Sequence, residues 1–168
     1  TISEDISFTI TKRGVDVPTY TDTYTYTGNG INAGIAASDL YSVNDPKHTD
    51  AGSYSASITL ADTKNYTWAD GDTSATKQLP YTINKAQIVI SGLTLADFVY
   101  SGTAAPTAST NFVCTLSYVY SITESGEFTS TVPTNAGTYY VKAVAAGNEN
   151  LIGAESAAVK FVIEKANA

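Results

Sequence analysis

Few side chains in this sequence could perform acid–base, nucleophilic or metal chemistry. The single histidine, His48, lies in a polar turn, so neither a histidine-based metal site nor a Ser-His-Asp triad can be assembled. Asp70 and Asp72 flank Gly71 and could serve calcium, but the spaced ligands and distal Glu of a calcium loop are missing. A surface histidine and an ordinary Asp-Gly-Asp turn are the simpler interpretations. We expect no enzyme activity, no catalytic residues, no metal and no cofactor.

Residue types also bear on two further kinds of chemistry, nucleotide binding and isopeptide-bond formation. No Gly-rich phosphate loop follows a strand and opens a helix, so nucleotide binding has no support. An intramolecular Lys-Asn isopeptide bond, used by some surface modules in place of disulfides, could begin at Lys12 or Lys85. No Asn on a final strand with a nearby acid accompanies either lysine, so we do not expect the bond to form.

Four aromatic side chains are candidates for stacking on a ligand. Tyr20, Tyr24 and Tyr26 alternate with threonines after Pro18, which predicts a strand with one aromatic and one hydroxyl face. Trp68 is the only tryptophan and lies in a polar loop. A tryptophan in such a loop more often closes the open end of a core, and we expect that role for Trp68 before a role in ligand stacking.

The elements that must position these residues recur along the chain. The sequence Asp-Ala-Gly-Ser-Tyr at 50–54 returns as Asn-Ala-Gly-Thr-Tyr at 135–139. An Ile-x-Lys ending occurs at 10–12, 83–85 and 163–165. Internal similarity of this kind indicates tandem modules. We therefore predict two modules, residues 1–85 and 86–168, in which residues 1–12 form either the first strand of the first module or, as the echo favours, the last strand of a preceding one.

Alternation of apolar and polar residues predicts half-buried strands. Strands are expected where the apolar side of the alternation is longest, namely at Ile6, Phe8 and Ile10; at Tyr54, Ala56, Ile58 and Leu60; at Tyr139, Val141 and Ala143; and from Phe112 to Ile122, the longest of all. Cys114 would then be a small core residue. Pro80 should place its strand at a sheet edge or in a bulge. Gly52 and Gly137 are expected at equivalent tight turns with positive φ.

Composition narrows the class of protein. Charged residues make up 15% of the chain, which has 12 Tyr and is rich in Thr and Ser, as is typical of β-sheet proteins. A net charge of -7 disfavours nucleic acid or an anionic membrane as a partner. The lone Cys114 excludes an intrachain disulfide. No apolar run reaches the length of a membrane span, and no signal peptide precedes Thr1, so we interpret the sequence as a piece of a longer protein.

These patterns together predict an all-β fold of two antiparallel β-sandwich modules. The competing architecture is a pair of β-grasp modules, which needs a helix across each sheet. Only residues 33–40 could supply one, and the second module offers no equivalent; for residues 31–43 we prefer a strand. Lys85-Ala86 joins the modules without a Gly or Pro linker, which predicts a stiff joint and two modules lying end to end as a rod.

The order of the motifs resembles a known class of repeat. Tyr-x-Gly, then Ala-Gly-Ser/Thr-Tyr, then Asn-Tyr or Asn-Leu in a loop, then an ending such as Tyr-Thr-Ile-Asn-Lys-Ala is similar to the tandem Ig-like repeats of bacterial cell-surface and adhesin-type proteins. The resemblance implies a monomeric, non-catalytic module outside the cell, associated with the cell wall. It would act as a stiff stalk or as an adhesion module, with neighbouring repeats, a host protein or a glycan as partner.

An alternative function is a carbohydrate-binding accessory module of a secreted enzyme. In that case Trp68 and the row Tyr20, Tyr24 and Tyr26 would be the stacking platform. A glycan array would separate the two classes, because a stalk module would bind no sugar.

Overall fold

The computed structural model describes residues 7–167, and residues 1–6 and 168 lie outside the described part. The chain divides into two compact units between Asn84 and Lys85, one residue before the boundary expected from the sequence. Every regular element in the described part is a β-strand, so the all-β prediction is confirmed. The β-grasp alternative is wrong, because residues 33–40 form no helix.

The first unit is built on one four-stranded sheet. Its strands are β1 (Arg13–Val15), β2 (Thr23–Thr25), β3 (Tyr41–Asn44), β4 (Gly52–Leu60), β5 (Tyr66–Trp68) and β6 (Thr76–Asn84). The sheet order is β2-β6-β4-β3, in which β4 runs antiparallel to β3 and β6 while β2 runs parallel to β6. Strands β1 and β5 form a separate parallel pair.

The core of the first unit lies on one face of this sheet. Ala56, Ile58 and Leu60 of β4 are buried, whereas the intervening Ser57 and Thr59 are half-buried and the earlier Ser53 and Ser55 are exposed. The buried face is covered by side chains of the β1–β5 pair and of residues 31–35. Burial of Ala56, Ile58 and Leu60 confirms the alternation of β4, and the two layers are consistent with a β-sandwich. Tyr54, at the end of the alternation, is half-buried only.

Pro80 lies in β6, which is an inner strand of the sheet, so the prediction of an edge strand or a bulge is wrong. The reason is local. Strand β2 covers β6 only from Thr82 to Asn84, and the Thr82 N–H points to that side, where it donates to the Asp22 carbonyl oxygen at 2.8 Å. Two residues earlier, the nitrogen of Pro80 faces the same side, where no strand is paired. A residue without an N–H is therefore tolerated there.

The second unit has a five-stranded sheet, in which four strands have the same order and connections as the four strands of the first sheet. Its strands are β7 (Ala86–Gln87), β8 (Ile90–Thr94), β9 (Phe98–Val99), β10 (Thr107–Thr110), β11 (Leu116–Ser121), β12 (Gly137–Ala145), β13 (Leu151–Ile152), β14 (Ala154–Glu155) and β15 (Val159–Glu164). The order is β11-β12-β15-β9, with β9 parallel to β15 and β14 attached to β12. Strands β7 and β13 form a parallel pair, and β8 and β10 form an antiparallel pair.

The second core repeats the alternation of the first. Val141 and Ala143 of β12 are buried as expected, and Tyr139 is half-buried. The strand predicted from Phe112 to Ile122 is shorter, because β11 begins at Leu116 and ends at Ser121. Cys114 is therefore not a core residue: it lies before the strand, half-buried, with its Sγ 3.6 Å from Thr110 Oγ1.

Two expectations about backbone conformation are not met. Gly52 and Gly137 do not have positive φ but are the first residues of β4 and β12. Positive φ occurs instead at Gly28, Gly34 and Gly71 outside the strands, at Gly92 within β8, and at Ser101 (φ 68°).

The segment before β1 is not a strand of the first unit. Residues 7–12 form no strand, and Phe8 and Ile10 are each 83% exposed. Ile6, the first residue of the expected alternation, lies outside the described residues. Of the two alternatives for this segment, the first strand of the first module is wrong for its described part, since that unit begins its pairing at Arg13.

Candidate functional site

The repeated Ala-Gly-Ser/Thr-Tyr motif forms the same turn in each unit. The Tyr54 hydroxyl donates to the Asp50 carbonyl oxygen at 2.9 Å, and the Tyr139 hydroxyl donates to the Asn135 carbonyl oxygen at 3.0 Å. Each tyrosine therefore folds back over the glycine two residues before it. A Cβ on Gly137 would lie 3.1 Å from the Tyr139 hydroxyl oxygen, which is closer than ordinary contact. The glycine is needed for this close approach and not for a special φ.

The sequence suggested that His48 is a surface residue of a polar turn, but the structure does not place His48 on the surface. It is half-buried, and its ring stacks on that of Tyr54 with the centroids 3.9 Å apart and the planes 14° from parallel. Its backbone forms a two-way bridge with Ile31, with N···O distances of 2.8 and 2.9 Å. The imidazole thus supports the tyrosine turn of the first unit.

Trp68 offers no face for ligand stacking, because only 1% of it is exposed. Its indole packs with Tyr41, Ile58 and Leu60, and its Nε1–H donates to the Ser74 carbonyl oxygen at 2.9 Å. Trp68 is a core residue, as expected, but it belongs to strand β5 and not to a loop. The ligand-stacking role is corrected: a fully buried indole with its one donor satisfied has nothing left to present.

Tyr20, Tyr24 and Tyr26 are half-buried and pack their rings against a core cluster of the first unit. Tyr24 meets Tyr81 edge to face, with the ring centroids 6.1 Å apart. The aromatic side of this strand therefore faces inward, and its threonines face solvent. The row is part of the sheet's inner surface, and it does not join Trp68 in a single exposed platform.

Both carboxylates of the Asp-Gly-Asp turn form an ion pair with Lys77. Lys77 Nζ lies 2.8 Å from Asp70 Oδ2 and 2.8 Å from Asp72 Oδ2. The second oxygens of the two carboxylates accept the backbone N–H groups of Asp72 and Ser74. The hydrogen bond from Lys77, aided by that from Ser74, lowers the pKa of Asp72 to about 2. The carboxylates are committed to turn and ion-pair contacts, in line with the simpler interpretation. In residues 7–167 no group of three His, Cys, Asp or Glu side chains is arranged to hold a metal ion.

The lysines considered for an isopeptide bond are differently placed. Lys85 Nζ donates to the backbone carbonyl oxygen of Asn148 at 2.8 Å and not to a side-chain amide. A carbonyl of the main chain cannot release the ammonia that isopeptide formation from Asn requires. Lys12 is exposed.

Two open clefts lie in the second unit, which the sequence analysis did not single out as a site. One cleft of about 370 Å³ contains Tyr120, Tyr139, Glu127 and Asn135 together with several Ser and Thr hydroxyls. A second, of about 300 Å³, contains Phe98, Tyr100 and the strained Ser101. Residues 132–134 line both clefts. Glu127 is the only charged residue lining either cleft, and no cation lines them.

A sequence signal for these clefts existed but was weak. Ile122 and Val132 lie on the rim of the first cleft and are 76% and 57% exposed. Alternation assigned Ile122 to a strand, whereas β11 ends at Ser121, and Val132 follows an isolated bridge between Tyr120 and Thr129. An apolar residue that continues an alternation beyond its strand looks identical in sequence to one inside it.

Residues 7–167 contain no helix with the length and apolar character that crossing a bilayer requires. Comparisons of the chain with protein-family models, with curated proteins and with solved structures find no match.

Proposed function

We propose that this chain is a non-catalytic tandem-repeat region of a bacterial surface protein, built from Ig-like modules that act as a stiff spacer or as adhesion modules outside the cell. The observation that carries the proposal is the recurrence of the same tyrosine turn at the same place in both units. In each, a tyrosine near the start of a central strand donates its hydroxyl to a carbonyl oxygen four residues upstream. This is the geometry of the tyrosine corner that is typical of Ig-like sandwiches.

Other backbone contacts of the two units also correspond, which supports the tandem arrangement. The Arg13 N–H donates to the Asn65 carbonyl oxygen at 2.8 Å, and the Ala86 N–H donates to Asn150 at 3.0 Å. Both donors follow an Ile-x-Lys ending, and both acceptors are the asparagines that match in sequence. A module that recurs with its pairing intact is suited to extension of a chain, since each copy needs only its own core.

The stiffness of the joint stays a prediction from the short connection at Lys85. Small-angle X-ray scattering of the whole chain tests it, with a variant carrying a flexible Gly-Ser linker between Asn84 and Lys85 as the matched control. A spacer should scatter as an elongated particle of one length, and the linker variant should show a broader distribution. A wild-type chain that is as variable as the linker variant would contradict the spacer. Antibody labelling of intact cells of the source organism, before and after permeabilisation, tests the surface location.

A second candidate function, recognition of a neutral glycan, is favoured by the first cleft of the second unit. Tyr139 and the exposed Ile122 give it apolar surface, while Asn135 and Glu127 supply a planar amide and a carboxylate. Sugars combine apolar C–H faces with hydroxyls, and a lining without cations disfavours sulfated or sialylated ligands. Tyr120 already pairs its backbone with Thr129, at 2.7 and 2.9 Å, so an added peptide strand cannot use that part of the edge.

Glycan-array binding by the whole chain tests this second candidate. Glu127→Ala and Ile122→Ser should each reduce binding, whereas Val113→Ser, on a fully exposed side chain away from the clefts, should not. Binding that is insensitive to Glu127 and Ile122, or the absence of any binding, would remove the cleft as a glycan site.

A further inference from the structure

Residues 6–12 have the same side-chain pattern as the last strand of each unit. We call this last strand the closing strand; it is β6 in the first unit and β15 in the second. Strands β6 and β15 have an aliphatic residue, an aromatic residue and Ile at alternate positions, and a Lys directly follows the last residue of each strand. The three sets are Ile6, Phe8, Ile10 and Lys12; Leu79, Tyr81, Ile83 and Lys85; and Val159, Phe161, Ile163 and Lys165.

The burial of these residues differs sharply between the three places. Tyr81, Ile83, Phe161 and Ile163 are all at most 2% exposed. Phe8 and Ile10, by contrast, are 83% exposed and belong to no strand. Two large apolar side chains in an alternating row are unfavourable to leave in water, since removal of apolar surface from water stabilises a fold. The same pattern of side chains is therefore buried in the cores of both units but exposed at Phe8 and Ile10.

The segment cannot be an opening strand of the first unit, because that position is occupied. Strand β1 begins at Arg13, directly after Lys12, and pairs with β5 as β7 pairs with β13 directly after Lys85. The Lys12–Arg13 step therefore corresponds to the Lys85–Ala86 step, where a closing strand has just ended.

The second unit shows what a closing strand of this pattern contacts. Phe161 lies opposite Tyr139 of β12, and its ring centroid is 5.7 Å from that of Tyr139, 6.1 Å from Tyr120 and 6.2 Å from Phe98. Ile163 lies opposite Gly137 and beside Phe98 of β9. Phe8 and Ile10 have the same side chains as Phe161 and Ile163 at the same spacing, and Thr9 and Thr11 would stand on the polar face.

We propose that residues 7–12 belong to the closing strand of a further module of this kind, which they complete by inserting antiparallel to its β12-type strand and parallel to its β9-type strand. The proposal rests on the tandem arrangement proposed above and names the partner of this segment. The surface it fits is the apolar groove between two such strands. In the whole chain both grooves are already filled by β6 and β15, so the segment has no place in its own units.

The second unit can serve as the test receptor. A chain that ends at Ala158 lacks β15 and has an open groove, so the segment of one molecule should enter the groove of the next. Light scattering after size exclusion should show head-to-tail oligomers for this shortened chain and a monomer for the whole chain. The substitutions Phe8→Asp and Ile10→Asp in the shortened chain should abolish the oligomers.

That substituted, shortened chain is then titrated with a labelled peptide of residues 1–12. The peptide should bind, and a Phe8→Asp peptide should bind at least about tenfold more weakly, because a buried phenyl ring would be replaced by a charge. Oligomers that persist despite the two substitutions, or equal behaviour of the two peptides, would overturn the proposal.

A graft in the intact chain covers the case in which the shortened chain does not fold. Replacing residues 159–165 by the sequence of residues 6–12 needs only Val159→Ile, Lys160→Ser, Val162→Thr and Glu164→Thr. The second unit should keep its unfolding midpoint within a few degrees. A control graft with Phe161→Thr, and with Val162→Phe in place of Val162→Thr, moves the ring from the buried face to the half-buried opposite face and should unfold the unit. Loss of folding in the first graft would overturn the proposal. The scattering result for the unmodified chain does not depend on the outcome of the graft. Failure of this proposal is therefore distinct from failure of the spacer function.

Discussion

The Tyr139 hydroxyl donates a 3.0 Å hydrogen bond to the carbonyl oxygen of Asn135, and this bond holds the phenol ring over Gly137. Tyr54 and Asp50 have the same relationship in the first unit, at 2.9 Å. The contact explains the motif residue by residue: the tyrosine closes the turn, and the glycine leaves room for its ring.

The first prediction concerns that close approach. Gly137→Ala should destabilise the second unit by about 1 kcal/mol, because the new methyl group pushes the ring off its hydrogen bond. In a Tyr139→Leu background the same substitution should be neutral or stabilising by about 0.5 kcal/mol, since alanine restricts the unfolded chain more than glycine. Urea unfolding of the four chains measures the coupling. The cycle of Gly52 and Tyr54 is the internal replicate, and an equal effect of Gly137→Ala in both backgrounds would contradict the explanation.

The second prediction concerns Trp68. Trp68→Ala should cost the first unit about 3–5 kcal/mol, which is most or all of the stability of a module this small. Amide NMR spectra should lose the dispersed signals of the first unit and keep those of the second, because the two cores are separate. Val113→Ala removes a fully exposed side chain and should change nothing. Loss of the second unit's signals as well would show that the units do not fold independently.

The third prediction concerns Asp45, which the sequence analysis did not single out. Its carboxylate accepts the backbone N–H groups of Ala33 and Gly34 at 2.9 Å each and of Ile35 at 3.4 Å. Asp45→Ala should cost about 1–3 kcal/mol, because these donors lose a charged acceptor and the segment covering the core loses its tether. Asp45→Asn should cost less. Asp16→Ala, at an exposed position, is the control, and hydrogen exchange at Gly34 should quicken only in the Asp45 variants.

The fourth prediction is a dependence on acid pH. The hydrogen bond from Lys77 holds the pKa of Asp72 at about 2, below its usual value, so the folded state favours the charged carboxylate. This contribution to stability is present above the unfolded pKa of about 4 and is lost as pH falls towards 2. Lys77→Gln should raise the Asp72 pKa, measured from its carboxyl carbon by NMR, whereas Lys160→Gln should leave it unchanged. An Asp72 pKa that does not respond to Lys77 would assign the shift to the Ser74 N–H instead.

Much of the fold could be predicted because its strongest signal is local. Alternation at Ala56, Ile58 and Leu60, and at Val141 and Ala143, is a direct readout of which face of a strand meets the core. The recurrence of the motifs likewise placed the corresponding strands of the two units. The candidate aromatic residues were found, but whether their rings faced a ligand or the core was not a local property.

What the sequence determined by itself was the strand class, the alternating faces and the recurrence, since each depends only on residue type and spacing along the chain. The tertiary structure decided the rest. Pro80 is tolerated in an inner strand because β2 stops short of it, and Gly137 is required by a ring that only folding brings over it. Ile122 and Phe8 are exposed although they continue apolar patterns, because a pattern says which face a strand would bury, while burial needs a partner sheet that other parts of the chain must supply.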